Sequence, residues 1–327
     1  MIRFFSGANP LNLLFLFFLG IILRISTFIS PETPTISASD GWLYIQVFHL
    51  LTPAGAKFPF LYPLLTYLLI FIQAVLLNGF ANQKKVFPNL NLLTAFAVIF
   101  LSALLPEWSR WSSLLLVNSL LVWLWPKLTG LYHSEKVKSD VFNAGFTISI
   151  CSFIYFPSIF LFPLILLTLI ISRPFRLTEW LLSVVGLSLP YYFFFAFRYI
   201  FHFPIEFKSV FPELEWQSPL SGSIGYTTWV PVSLLLVTIL TGMLYNQRLV
   251  SRMVVLNRKI WSLNALFLIM SLVIIFIHHK GENNLTICLI PAVFYAASFY
   301  VFSRSKLFPE LTVWIGIGWI LIRQFLS

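Results

Sequence analysis

The chain of 327 residues is 59% hydrophobic and 18% aromatic, with a mean hydropathy of +0.89. Its charged residues make up 10%, where soluble domains carry about 25%, so it cannot present a water-compatible surface. The formal charge of +10 does not point to nucleic acid, because the basic residues lie in short clusters between apolar runs rather than in one patch.

Apolar runs near 20 residues without period-2 alternation choose helices over a barrel as the spanning structure. The expected fold is therefore an all-α polytopic membrane bundle, a single transmembrane domain over residues 1–327. Spans are predicted at about 11–29, 58–79, 89–105, 112–131, 142–156, 159–172, 180–200, 229–246, 261–277, 285–302 and 309–325. The first has Arg3 before it, but its apolar run exceeds a typical signal-peptide core and no A-x-A site follows, so it is expected to stay as an anchor. Cys151 and Cys288 both fall inside apolar runs, which gives no support to a disulfide or metal framework.

Between the first two spans lies a long outer loop, residues 30–57, containing "SASDGWLYIQVFHLL". The twelve residues from Asp40 are too few to cross, since a helix of that length measures roughly 18 Å. An interfacial helix over about 40–51 is expected instead. Further on, "FNAGFTISICSFIYFPSIFLFPLILLTLIIS" could be one kinked helix or two short ones turning at Pro157 and Ser158. Lys136 and Lys138 precede it and Arg173 and Arg176 follow it. A single crossing would put those clusters on opposite sides, so the positive-inside rule selects a hairpin over 142–172.

With that hairpin, Arg3, Lys84, Lys85, Lys127, Lys136, Lys138, Arg173, Arg176, Arg248, Arg252, Arg258, Lys259, Arg304 and Lys306 all fall on one side, fourteen of the 21 basic residues. The other side receives Glu32, Asp40, Glu107, Glu206, Glu213, Glu215 and Glu282, and a second long loop at 201–228. The N-terminus is predicted inside and the C-terminus outside. Arg248 and Arg252, one helical turn apart, suit a basic helix touching anionic lipid, although topology alone accounts for them.

Several polar residues stand out against this background. Ser39 or Asp40 sits where an N-cap belongs; Asp40 also reads as a carboxylate facing a water-filled cavity, able to take a proton from a substrate hydroxyl or ligate a divalent ion. Arg24 lies in the last turns of the first span, where a guanidinium is costly. Snorkelling, an ion pair or a bound phosphate would each explain it. On the same outer face come Glu107 and Arg110 in "PEWSR", Arg198 and His202 in "FRYIFH", and His278, His279, Lys280, Glu282, Asn283 and Asn284 in "HHKGENN". Together they offer carboxylates, cations and imidazoles at one membrane surface, a set that would hold a lipid-linked phosphate while the acids act on an acceptor.

Two segments, "FFSGANPLNLLFLFFLGIILR" and "LLLVNSLLVWLWPKLTGLYHSEKVKSDVFNAGFTISICSFIYFPSIFLF", resemble a family of uncharacterised multi-spanning membrane proteins of Bacteroidota, a domain of unknown function. That resemblance implies a bacterial inner-membrane location and no activity. The placing of "SDGWLY" in the first outer loop, and "HHKGENNLTICLIPAVF" late in the chain, also resembles the GT-C superfamily of polyprenyl-phosphate-sugar glycosyltransferases. This second resemblance implies an outer-face active site with Asp40 as base or metal ligand, Glu107 assisting, and Arg24, Arg198, His278, His279 and Lys280 binding the donor phosphate. The paired acidic motif of many members is absent, as is a large outer domain after the last span.

The expected function is transfer of a sugar from a polyprenyl-phosphate donor at the periplasmic face. A divalent metal is the one cofactor the acids suggest, and membrane lipids and a lipid-linked sugar are the expected partners. The alternatives are a non-enzymatic inner-membrane subunit of an envelope assembly or secretion machine, whose outer loops dock a protein partner, and a lipid or solute transporter. The last is disfavoured because no span has a clear midplane acid and no inverted repeat is apparent.

Overall fold

The computed structural model describes residues 1–7, 9–37, 39–132, 134–202, 226–277 and 282–326. These form helices and no strand. In chain order they are α1 (Ile2–Phe5), α2 (Pro10–Ile22), α3 (Ile25–Ile29), α4 (Trp42–Lys57), α5 (Leu61–Gln83), α6 (Leu93–Leu104), α7 (Ser113–Gly130), α8 (Val137–Ile154), α9 (Phe162–Ser172), α10 (Leu177–Ile200), α11 (Tyr226–Val250), α12 (Val255–Ile277), α13 (Leu289–Phe302) and α14 (Leu307–Leu326). Short 3₁₀ segments lie at Pro106–Ser109, Phe156–Leu161 and Glu282–Cys288.

Helices occupy the predicted stretches, yet among the described residues five are long and apolar enough to cross a membrane: Leu61–Gln83, Leu177–Ile200, Trp229–Val250, Val255–Phe276 and Leu285–Phe302. Several others are shorter than their apolar runs suggested. The first predicted span is broken after Leu23, at Arg24, where the backbone leaves helical geometry and α3 starts afresh. That leaves α2 with 13 residues, roughly 20 Å against a hydrocarbon core of about 30 Å. All twelve residues of α6 are buried, and it packs on α5, α13, α2 and α14. An all-round apolar sequence is what a helix enclosed by other helices requires, so the run over 89–105 reflects enclosure by protein as much as by lipid.

By contrast, α10 has only 11% of its apolar stretch buried, with Leu181, Val185, Phe193 and Phe197 all exposed. Its inner face packs on α8 at backbone distance. A Cβ on Gly145 would stand 2.3 Å from Ser183 O, and one on Gly186 would stand 2.3 Å from Phe142 O. Small residues on both helices permit this approach, in which van der Waals contact replaces hydrophobic driving force. The remaining exposed apolar face of α10 is the kind of surface that lipid covers.

The segment over 142–172 doubles back. Tyr155 is extended between α8 and the 3₁₀ turn, and Arg173 after α9 donates from Nη1 to Ser134 O before α8 at 3.4 Å. The start of α12 meets these ends: Lys259 Nζ donates to Ser172 O (3.4 Å) and lies 3.5 Å from the Tyr132 ring centre, and Asn257 Nδ2 donates to Lys85 O (2.8 Å), which brings the basic residues of these segments together. Leu92 N donates to Phe5 O (3.0 Å), bringing the N-terminus to the same end. The helix expected over 40–51 runs instead from Trp42 to Lys57, with Pro53 inside it, and packs on α8 and α5. Most of the loop expected at 201–228 lies outside the described residues.

Candidate functional site

At the bundle end opposite those basic clusters, a cavity of about 470 Å³ opens between α3, the loop 30–41, the starts of α4, α5 and α7, and the end of α14. Its position follows from helix direction, since α5 and α7 begin there and run to the basic end, while α8 and α14 run the other way. Asp40 and Glu107 both line it, as do Glu32, Arg110 and Arg323.

Asp40 is held by a local backbone arrangement rather than by a helix terminus. The N-cap of α4 is Gly41, and no side chain caps that helix, so the expectation that Ser39 or Asp40 acts as N-cap is corrected. The loop instead pairs with the α8–α9 turn: Gly41 N donates to Ile154 O (2.8 Å), and Phe156 N donates to Ser39 O (3.3 Å). This brings Asp40 opposite Tyr155 in an isolated antiparallel bridge. Only glycine permits the approach, because a Cβ on Gly41 would stand 2.1 Å from Phe153 O. With the backbone fixed, Asp40 Oδ2 accepts from Ser37 N (2.7 Å) and Oδ1 accepts from Ser113 Oγ.

Asp40 is 7% exposed. Burial pushes its carboxyl above the usual carboxylate range, opposed by hydrogen bonds from Ser113 and Ser37. Desolvation disfavours the charged form, and the two donors recover part of that loss. Burial, and then the neighbouring Asp40 charge, push the Tyr44 phenol up as well, so it stays a neutral hydroxyl.

The remaining expected residues are distributed differently. Glu107 is carried on the 3₁₀ turn Pro106–Ser109, which Ser109 Oγ anchors by donating to Ser102 O at 3.1 Å. Arg110 forms an exposed ion pair with Glu32 at 2.6 Å. Arg24 does not line the cavity. It is 2% exposed, which rules out snorkelling, and its guanidinium faces backbone and hydroxyl oxygens rather than an acid. Nη1 donates to Gly20 O (3.2 Å), and Nη2 to Ile99 O (3.2 Å) and Ser102 Oγ (2.6 Å), with Tyr67 beneath it at 5.6 Å. Arg24 thus ties the broken first segment to α6 through Ile99 and Ser102. Of the three explanations offered for it, an ion pair is not formed by Arg24 among the described residues.

Arg198 belongs to the last turn of α10, its guanidinium 5.5 Å from the Phe194 ring centre, and does not line the cavity. His278, His279 and Lys280 lie outside the described residues. No group of three or more His, Cys, Asp or Glu that could hold a metal ion occurs among the described residues, and the direct partners of Asp40 are hydroxyl and backbone donors rather than further ligands. Among the described residues, Asp40 thus has no ready-made cluster of protein ligands for a divalent metal. Cys151 and Cys288 are buried free thiols.

Sequence reasoning missed Ser113, Tyr44, Tyr62, Trp111, Tyr155 and Arg323 as cavity residues. One of them carried a usable signal. Arg323 is an arginine inside the last predicted span, as Arg24 is in the first, and intramembrane arginines are functional candidates by default. It donates from Nη1 to Leu104 O at 2.8 Å. Comparison of the chain with protein-family models, with curated proteins and with solved structures finds no match.

Proposed function

We propose that this chain is a multi-pass bacterial inner-membrane protein of GT-C-like architecture, crossing about eleven times with its N-terminus inside. In this reading it transfers a sugar from a polyprenyl-phosphate donor to a hydroxyl acceptor at the periplasmic face. The observation that carries the proposal is the meeting of Asp40 and Glu107 in one cavity, at the end of the bundle opposite the basic clusters. Asp40 accepts the proton of the acceptor hydroxyl as its oxygen attacks the sugar's anomeric carbon. The bond from that carbon to the phosphate oxygen breaks, and the electron pair leaves with the polyprenyl phosphate. A carboxylate whose proton affinity is raised by burial is a stronger base than an exposed one. Ser113 and Ser37 fix its orientation, and each Asp40 oxygen retains acceptor capacity for the substrate.

The alternative, a non-enzymatic subunit of an envelope assembly machine, is favoured by one observation: Arg24 and Arg198, two of the cations expected on the donor phosphate, do not reach the cavity. Asp40→Asn separates the readings. Asparagine keeps the shape and an acceptor for Ser37 N, while the Ser113 hydroxyl can rotate to accept from the amide. In reconstituted membranes supplied with polyprenyl-phosphate sugars, the variant should fold normally and lose about 100- to 10,000-fold in transfer rate. A fully active asparagine variant would overturn the catalytic assignment, and a wild type that consumes no such donor would favour the assembly subunit.

A further inference from the structure

The cavity contains two buried polar groups that the transfer step does not use. Tyr44 is 1% exposed and Trp111 8%, both line the cavity, and neither Tyr44 Oη nor Trp111 Nε1 has a hydrogen-bond partner among the described residues. The large majority of buried polar groups in native proteins are paired, so an unpaired one that also lines a concave site is a place where a ligand atom would complete the bond.

Their chemistry restricts that ligand. An indole N–H only donates, so it requires an acceptor oxygen, whereas an ionised carboxylate only accepts, so the acceptor capacity Asp40 retains beside Ser37 and Ser113 suits a donor. A hydroxyl supplies both roles, and adjacent hydroxyls on one ring supply them at adjacent positions. Serine and threonine side chains make up much of the remaining wall, and Tyr62 and Tyr155 add phenol groups.

Charge points the same way. The charged residues lining the cavity are Glu32, Asp40, Glu107, Arg110 and Arg323, three carboxylates against two guanidiniums, with Arg110 already paired to Glu32. Among the described residues, no surplus of positive charge draws in an anion. The volume of about 470 Å³ lies within the range of small-molecule sites, about 300–1,000 Å³.

We propose that this cavity binds a neutral, hydroxyl-rich group, the sugar or polyol part of the acceptor, with Trp111 and Tyr44 orienting it against Asp40. The catalytic consequence rests on the transferase reading of the same cavity, while the binding itself does not require it. The donor's phosphate then lies outside the cavity.

The test is binding to the intact protein in nanodiscs by native mass spectrometry and calorimetry. The probes are maltose, a dihexosyl diacylglycerol in the disc, inorganic phosphate and polyprenyl phosphate. Maltose or the glycolipid should bind, and which of them binds tells a free sugar from a lipid headgroup. Trp111→Phe should weaken that binding about tenfold, the worth of one net hydrogen bond, with the melting temperature unchanged. Tyr44→Phe, which keeps the ring, is the second variant and should weaken it in the same direction. Neutral-sugar binding without any transfer supports this inference and removes the transferase reading. Active transfer with the acceptor KM unaltered in both variants overturns the inference and leaves the transferase standing. Exclusive binding of the phosphate probes also overturns it.

Discussion

Gly41→Ala tests whether backbone pairing between the loop 30–41 and the α8–α9 turn sets the position of Asp40. Gly41 has φ −79°, which any residue adopts, so the substitution acts only through space. The added Cβ would lie 2.1 Å from Phe153 O and 2.5 Å from Phe153 C, where real Cβ atoms keep at least 3.0 Å. Both obstacles are main chain, so no side-chain rotation relieves the clash and the loop must move off the turn. That movement removes the Gly41 N to Ile154 O and Phe156 N to Ser39 O bonds. At about 1–3 kcal/mol for each buried donor left unpaired, the cost is about 2–6 kcal/mol, a large part of the 5–15 kcal/mol typical of a whole domain. Gly79→Ala serves as the control, because nothing lies within 4 Å of a Cβ there. In the exposed interior of α5 it should gain about 0.5–1 kcal/mol. Denaturant titration of the purified protein in mild detergent reads both, and hydrogen exchange at the Phe156 amide reads the pairing directly. A Gly41→Ala protein as stable as wild type, with the Phe156 amide still protected, would refute this account.

Asp40 should also give a pH signature. Its folded-state carboxyl is pushed above the ordinary value by burial, so its stabilising contribution is fully present below the unfolded-state value and is lost as pH rises through the folded one. The melting temperature of Asp40→Asn should therefore gain on wild type as pH rises through that interval; a difference that stays constant with pH would count against a carboxyl shifted by burial. For the hairpin, Ser134→Cys and Arg176→Cys should share one pattern of protection from an impermeant thiol reagent, and Arg110→Cys should show the opposite one. The native thiols are buried and contribute little background. Ser134 and Arg176 reporting opposite sides would mean that the chain crosses once over 142–172.

Composition by itself determined that this chain belongs to helices in an apolar medium, because no arrangement of 10% charged residues can clothe it in water. The distribution of lysine and arginine predicted a hairpin over 142–172, and Arg173 and Ser134 meet in the structure; the thiol-labelling pair tests on which side of a membrane they lie. Local sequence did not determine how much of each apolar run faces lipid. Hydropathy alone cannot tell enclosure by other helices from enclosure by lipid, so the buried α6 and the largely exposed α10 look alike until packing is known. Tertiary structure alone decided which polar residues meet. Asp40 and Ser113 are brought together by a loop paired to a turn more than a hundred residues later in the chain, and Arg323 arrives from the final helix. Arg24 and Asp40, close in sequence and opposite in charge, stay apart because the α6 carbonyl and hydroxyl oxygens capture the guanidinium first. Hydrogen bonds across such distances depend on the path of the whole chain, and residue type and spacing hold no record of that path.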